Sequence, residues 1–135
     1  VSRMVKIGID INGRFMEAFS ADGLIISTPT GSTAYNLSAG GPILKPDIEL
    51  MAITYVCPHV LFSRPYVVSS SDKIRAYVTN KDSIAYLSFD GQESIPIKYG
   101  EDVYIKKASF YTNIIKTTEL SFYDILRSKM FEIRK

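Results

Sequence analysis

The sequence is short of several residue types, and each shortage excludes a class of protein. It has one cysteine, Cys57, so an internal disulfide is impossible. This cysteine content suits a protein of a reducing compartment. Its single histidine, His59, makes only two zinc ligands with Cys57, too few for a structural site. No apolar run approaches the ~18 residues of a membrane-spanning helix, and no secretory signal is visible. We therefore expect a cytoplasmic protein without a membrane contact or a metal of its own.

The excess of one charge over the other is also small. Sixteen basic and fourteen acidic residues give a formal net charge of +2, and the basic residues are scattered. A nucleic-acid-binding surface would require them to cluster, so no such partner is expected. The length of 135 residues, with 46% apolar residues, fits one domain over residues 1–135 with a real core. Nine tyrosines and seven phenylalanines are typical of a β-rich core.

Short apolar segments separated by turn residues predict a mainly β fold. Alternation at Val5, Ile7 and Ile9 is typical of a half-buried strand, and Asn12-Gly13 predicts a tight hairpin turn. We expect a two-layer β-sandwich with one short internal helix and a C-terminal helix. The predicted strands cover residues 5–11, a return strand with Phe15 and Phe19, and residues 24–27, 50–57, 66–68, 74–78, 84–89, 95–97, 103–105 and 113–116.

The C-terminal helix is predicted by a capping pair and a helical period. Ser121 and Asp124 have the spacing at which two side chains cap the first turn of a helix. The apolar residues that follow lie on one helical face. They are Phe122, Ile125, Leu126, Met130 and Ile133. The intervening Arg127 and Lys129 are expected on a solvated face.

The segment 22–42 contains the clearest candidate site. A strand runs into the Pro29-Thr30-Gly31 turn, and a short helix follows that ends at Gly40-Gly41. Such a unit directs backbone N–H groups and helix-dipole charge at one spot, which suits a phosphate or a ribose. No lysine follows Gly31, so this is no Walker-type loop. Six hydroxyls surround the turn: Ser27, Thr28, Thr30, Ser32, Thr33 and Ser38. Helix capping explains one or two, so we expect the others to bind a polar ligand.

Four further residues have a structural alternative. Asp22 either closes a turn through its side chain or accepts hydrogen bonds from ribose hydroxyls. Tyr35 either packs in the core or stacks on a ring, with Ser38 one helical turn on. We expect Cys57 to be a buried hydrophobe and His59 a hydrogen-bonded structural residue, since no Gly-x-Ser-x-Gly elbow accompanies it.

Together these motifs resemble those of the NAD kinases. The first comprises Asp22-Gly23, Thr28-Pro29-Thr30-Gly31-Ser32-Thr33-Ala34-Tyr35 and Gly40-Gly41-Pro42. The later ones are Cys57-Pro58-His59 with Arg64-Pro65, Asp90-Gly91-Gln92 and Leu126-Arg127-Ser128-Lys129-Met130. The family's Gly-Gly-Asp-Gly segment and its Asn-Glu or Asn-Asp pair are absent. The resemblance therefore implies the C-terminal half of a NAD kinase, with no catalytic residue and no activity alone.

The resemblance also implies a reaction, ligands and partners. The parent enzyme would transfer a phosphoryl group from ATP, or from polyphosphate, to the 2′-hydroxyl of the adenosine ribose of NAD, giving NADP. A divalent metal (Mg²⁺) would accompany ATP, mainly on the missing half, and the protein would be a homo-oligomer. The residues implied to bind the dinucleotide are Asp22, Thr33, Ala34, Tyr35, Asn36, Leu37, Ser38 and Gln92, with Arg3 and Ser20 on paired strands at the edge of the region. The alternatives are a non-catalytic β-sandwich sensor of adenine nucleotides and the β domain of a related lipid kinase.

Overall fold

The computed structural model describes residues 4–133, which form nine strands, one 3-10 turn and two helices. Their bounds are β1 Val5–Ile11, β2 Arg14–Ala21, β3 Gly23–Ser27, the 3-10 turn Thr30–Thr33, α1 Tyr35–Ser38, β4 Leu50–Val56, β5 Tyr66–Ser69, β6 Ile74–Val78, β7 Ile84–Phe89, β8 Gln92–Lys98, β9 Asp102–Ile105 and α2 Phe122–Ile133. The prediction of a mainly β chain with one short internal helix and a C-terminal helix is confirmed.

The strands form two antiparallel sheets and a separate hairpin. The first sheet has the order β2-β1-β6-β9, the second β3-β4-β5, and β7 pairs with β8 alone. Inward side chains of both sheets pack into one core, because alternate residues of each strand point the same way. Its buried members are Val5, Ile7, Ile9, Ala21, Met51, Ile53, Tyr55 and Ile74. The predicted two-layer arrangement is therefore the observed one.

Local turn chemistry is where sequence and structure agree best. Asn12 and Gly13 have φ values of 53° and 80°, the left-handed pair that a tight two-residue hairpin requires. Asp90 and Gly91, with φ values of 51° and 74°, form the corresponding turn between β7 and β8. At the start of α2, Asp124 N–H donates to Ser121 Oγ (3.1 Å) and Ser121 N–H donates to Asp124 Oδ2 (3.0 Å). The predicted capping pair is confirmed, and the hydrogen bonds that the Ser121 N–H and Oγ donate to the Asp124 carboxylate lower its pKa.

The predicted strand at residues 113–116 is wrong. The chain has no strand between Ile105 and α2, and Ile114 and Ile115 are exposed. The β propensity of these residues is not enough, because a strand also needs a neighbouring edge with which to form a ladder. In α2, Phe122, Leu126 and Met130 are half-buried, whereas Ile125 is exposed. Of the helices among residues 4–133, none is long and apolar enough to cross a membrane.

Candidate functional site

The candidate site lies where the chain leaves β3. After Ser27 it bends through the 3-10 turn, and α1 folds back over the outer face of the second sheet. Thr54 Oγ1 donates to Asn36 Oδ1 (2.7 Å), and Thr54 lies opposite Ile25 in the β3–β4 pair. Because the neighbours of Thr54 in β4 point into the core, Thr54 itself points outward. This bond therefore places α1 over the middle of β3.

Three of the six hydroxyls hold the bend together. Ser32 is fully buried; its Oγ donates to the Pro29 carbonyl (2.6 Å) and accepts from Leu44 N–H (2.9 Å). Thr28 Oγ1 accepts from Gly31 N–H (3.1 Å), and Ser27 Oγ donates to the Thr28 carbonyl (2.7 Å). The expectation that only one or two hydroxyls are structural is therefore wrong. Of the other three, Thr30 and Ser38 are exposed and Thr33 is half-buried.

The Asn36 side chain is likewise part of the fold. It is 1% exposed, and its amide donates to the carbonyls of Ser32 (3.3 Å) and Pro42 (3.2 Å) in addition to accepting from Thr54. Both N–H donors of the amide and one lone pair of its oxygen are thus occupied. A Cβ on Gly41 would collide with this amide, which explains the glycine there. The prediction that Asn36 binds a ligand consequently cannot rest on its side chain.

The helix dipole contributes little at this bend. α1 has only four residues, and Ala34, with φ −94° and ψ −131°, separates it from the 3-10 turn. A macrodipole is a sum over aligned peptides, so one turn of helix supplies only a small part of it. The expected helix-dipole charge is therefore not an argument for anion binding here. Gly40, with φ 88°, does end the helix as predicted.

The remaining predicted residues present free polar and aromatic groups on the surface. Asp22 links β2 to β3, and its N–H donates to the Val56 carbonyl (2.9 Å). Its carboxylate forms no hydrogen bond or ion pair with any residue of 4–133, so it does not close a turn. Tyr35 is 64% exposed, which excludes a place in the core, and Ser38 is exposed one turn further on. These observations favour the ligand-binding interpretation of Asp22 and Tyr35.

The backward course of α1 reduces the separation of these groups. Asp22 precedes β3 and Ser27 ends it, so these two residues, five positions apart, are separated by roughly 17 Å at 3.3 Å per residue. Asn36 already lies above Ile25, the middle residue of β3. Asn36, and with it α1, is therefore nearer to Asp22 along β3 than the 3-10 turn is. An extended ligand with two rings is comparable in length to the distance between Asp22 and the end of β3.

The segment after β4 contradicts two expectations. Cys57 is exposed rather than buried, because β4 ends at Val56 and the chain turns there with φ 48° at Cys57. His59 is also exposed, and its side chain has no hydrogen bond within the described part of the chain. Instead its backbone N–H donates to the Ser20 carbonyl (2.9 Å). Ser20, Asp22 and the 57–59 segment are thus neighbours at one end of the sandwich.

The other predicted site residues are not all brought together. Ala34 is exposed beside Tyr35, while Thr33 and Leu37 are half-buried. Gln92 is exposed at the turn of the β7–β8 hairpin, and no hydrogen bond within residues 4–133 joins this hairpin to the bend. Arg3 lies outside the described residues. Residues 33–38 therefore lie together at the bend, Asp22 lies at the other end of β3, and Gln92 is on a separate hairpin.

One contact at the bend was not expected. Lys129 of α2, predicted on a solvated face, donates from Nζ to Thr33 Oγ1 (3.4 Å). The two residues are 96 positions apart, so no local pattern could indicate the pairing. The only sequence signal is that residues 27–44 contain no lysine or arginine of their own.

The site combines aromatic, hydroxyl and carboxylate groups, which suit binding. Among residues 4–133, no three His, Cys, Asp or Glu side chains form a group that could hold a metal ion. The acidic side chain with a buried orphan atom is Glu17, which lies between the sheets and not at the bend. Burial raises the pKa of Glu17, and the hydrogen bond from Tyr66 Oη to its Oε2 (2.7 Å) opposes this only in part.

Comparison with known proteins places these motifs in a family. Residues 1–117 match the family described as the ATP-NAD kinase C-terminal domain. The NAD kinase of Thermoanaerobacter sp. (strain X514) is 44% identical over 131 residues, which are 97% of this chain and 46% of that protein. The NAD kinase of Caldanaerobacter subterraneus subsp. tengcongensis is 46% identical over the same shares. The chain thus spans about half the length of these relatives.

Solved structures agree. An NAD kinase from Archaeoglobus fulgidus in complex with ATP superposes with a TM-score of 0.71 and 31% identity, over 79% of this chain and 41% of the other. A yeast NADH kinase complexed with NADH superposes with a TM-score of 0.67 and 38% identity, over 75% and 29%. Sequence and fold give the same assignment. This chain belongs to the ATP-NAD kinase C-terminal domain family.

Proposed function

We propose that this chain is the NAD-binding half of a NAD kinase, a single β domain covering residues 1–135. The parent protein transfers a phosphoryl group from ATP, or from polyphosphate, to the 2′-hydroxyl of the adenosine ribose of NAD. The observation that carries the proposal is that the motif segment presents two unengaged groups: the exposed Asp22 carboxylate, which has no partner among residues 4–133, and the Tyr35 ring, which is 64% exposed. Neither group has a structural task there.

Each side chain has a role that its chemistry suits. The Asp22 carboxylate can only accept hydrogen bonds, so it orients ribose hydroxyls or an amide donor. Tyr35 stacks on a ring of the dinucleotide, and Ser38 donates from the same helical face. Thr33, Ala34, Leu37 and the main chain at Asn36 form the floor beside them. Gln92, Ser20 and Arg3 are peripheral contacts in this proposal.

The phosphoryl transfer itself needs groups beyond those that bind NAD. Such reactions depend on positioning, on a divalent metal that neutralises the phosphates, and on a residue that accepts the proton of the attacking hydroxyl. The described residues include no metal-binding cluster. We infer that the base and the residues for Mg²⁺ and ATP belong to the remainder of the parent protein. The chain's own part is to hold the acceptor.

Self-association is the second part of the proposal. The loop between β4 and β5 exposes Leu61 at 91% and Phe62 at 87%, next to the 57–59 segment that contacts Ser20. Adjacent apolar side chains at such exposure are typical of a contact surface. We infer that the parent is a cytoplasmic homo-oligomer and that this domain contributes to its interface.

The proposal is tested by steady-state kinetics of the full-length parent carrying Asp22→Asn or Tyr35→Ala. Loss of one stacking contact is worth about 1–3 kcal/mol, so the KM for NAD should rise roughly tenfold. The KM for ATP should change much less. Tyr104→Ala is the matched control, because this exposed tyrosine lies on β9, at the far edge of the first sheet. An unchanged KM for NAD in both variants would show that the site is assigned wrongly.

A further inference from the structure

We propose that Lys129 binds a phosphate group of the nucleotide held at the bend, defined here as residues 27–44. The inference rests on the proposed function and extends it to a residue of α2. The sequence predicts this residue on a solvated face. It concerns a binding contact and not the transfer step.

Two contacts attach α2 to the bend and the chain that follows it. Lys129 Nζ donates to Thr33 Oγ1 (3.4 Å), and Lys45 Nζ lies 5.8 Å from the ring centroid of Tyr123. Tyr123 and Lys129 are six residues apart, which is about 9 Å along a helix. The helix is therefore held at two points along its length. The contact at Lys129 brings an ammonium group to a residue of the candidate site.

The bend has no charge of its own. Residues 27–44 include no lysine, arginine, aspartate or glutamate. The nearest predicted site residue with a charge is Asp22, and its carboxylate would repel a phosphate. A nucleotide bound at Tyr35 and Asp22 brings at least one negatively charged phosphate to this surface. An additional cation is needed to compensate that charge.

Of the three cations near the bend, Lys129 has unused hydrogen-bond donors and no carboxylate partner among residues 4–133. Lys45 is paired with Asp47 (3.3 Å) and Arg127 with Asp124 (2.9 Å). Lys129 has no carboxylate partner among residues 4–133, and only one of its three N–H groups is used by Thr33. Lysine binds phosphate as a flexible point charge, and the remaining two donors suit a phosphoryl oxygen. The phosphate could belong to the pyrophosphate of the dinucleotide or to the triphosphate of the donor.

Calorimetry on the full-length parent protein tests the proposal with NAD, ATP and adenosine as ligands. Lys129→Met should weaken binding of one of the two phosphorylated ligands about tenfold, the loss expected for a charge-assisted hydrogen bond at a partly exposed site. Adenosine, which has no phosphate, should bind as before. Lys129→Arg should retain most of the affinity. Arg127→Met, two residues earlier in α2 and paired with Asp124, is the matched control and should have no effect.

The comparison of NAD with ATP identifies which nucleotide supplies the phosphate that Lys129 binds. A loss confined to NAD indicates the pyrophosphate, and a loss confined to ATP indicates the triphosphate. The proposal is overturned if Lys129→Met binds both as the wild type does, or if adenosine loses as much affinity as they do. Since Lys129 is exposed, the variant should fold, and unchanged adenosine binding verifies this. A wild-type protein that does not bind NAD would instead refute the proposed function, and this inference with it.

Discussion

Glu17 offers a sharp test of how the two sheets are held together. It pairs with the fully buried Ile9 in the β1–β2 ladder, so both side chains point into the sandwich. Its Oε2 accepts from Tyr66 Oη of β5 (2.7 Å), which bridges the sheets, while its buried Oε1 has no partner. A carboxylate in this position is destabilising, because burial favours its neutral form. We therefore predict that Glu17→Gln stabilises the fold at neutral pH.

The magnitude and its pH dependence follow from the raised pKa. The ordinary pKa of this carboxyl is 4.5, and desolvation raises it in the folded state. The folded state therefore binds the proton more tightly, so stability is greatest below pH 4.5 and falls as the pH rises through the folded pKa. An unpaired buried polar group costs roughly 1–3 kcal/mol. Because Glu17 is half-buried, we expect the lower end, a gain of about 1 kcal/mol for Glu17→Gln at pH 8 and none at pH 4.

Urea denaturation followed by circular dichroism at pH 4 and pH 8 measures this difference. A gain of about 1 kcal/mol corresponds to roughly 3–4 °C in Tm for a domain of this size. Glu119→Gln, an exposed glutamate with no partner in the described chain, is the matched control and should be neutral at both values. Tyr66→Phe should destabilise more at pH 8 than at pH 4, since it removes the one bond to the carboxylate. A Glu17→Gln variant that is less stable than the wild type at pH 8 would refute the reasoning.

Two further predictions concern activity and the bend. The 135-residue chain alone, supplied with NAD, ATP and Mg²⁺, should form no NADP in an enzymatic cycling assay, and turnover above a mock preparation would contradict the inference that the catalytic base lies outside this chain. Gly41→Ala should lower the free energy of unfolding by about 2 kcal/mol, because the new methyl group displaces an Asn36 amide that three hydrogen bonds hold in place. Gly13→Ala is the control and should lower it less, since its methyl group would meet no atom although φ there is 80°.

The features that the sequence predicted correctly are local ones. The Asn12-Gly13 turn needs only two residues with positive φ, and the Ser121–Asp124 cap needs two side chains three positions apart. The strands follow from alternation, and the shared core follows from two sheets that each have one apolar face. Each of these depends on a few neighbouring residues, so one sequence is sufficient to predict them.

The features that the sequence missed depend on distant partners. Asn36 is structural because Thr54, 18 residues further on, lies beneath it. Residues 113–116 have strand-forming side chains but no free strand edge beside them. Cys57 is exposed because the chain turns just after β4 ends. The contact of Lys129 with Thr33 joins residues 96 positions apart.

The position of bound NAD tests the central claim most directly. A crystal structure of the full-length parent protein with NAD should show the dinucleotide on the outer face of the β3–β4–β5 sheet, with a ring against Tyr35 and a ribose hydroxyl within hydrogen-bonding distance of the Asp22 carboxylate. A dinucleotide bound elsewhere, with Tyr35 and Asp22 still in contact with solvent, would contradict the account.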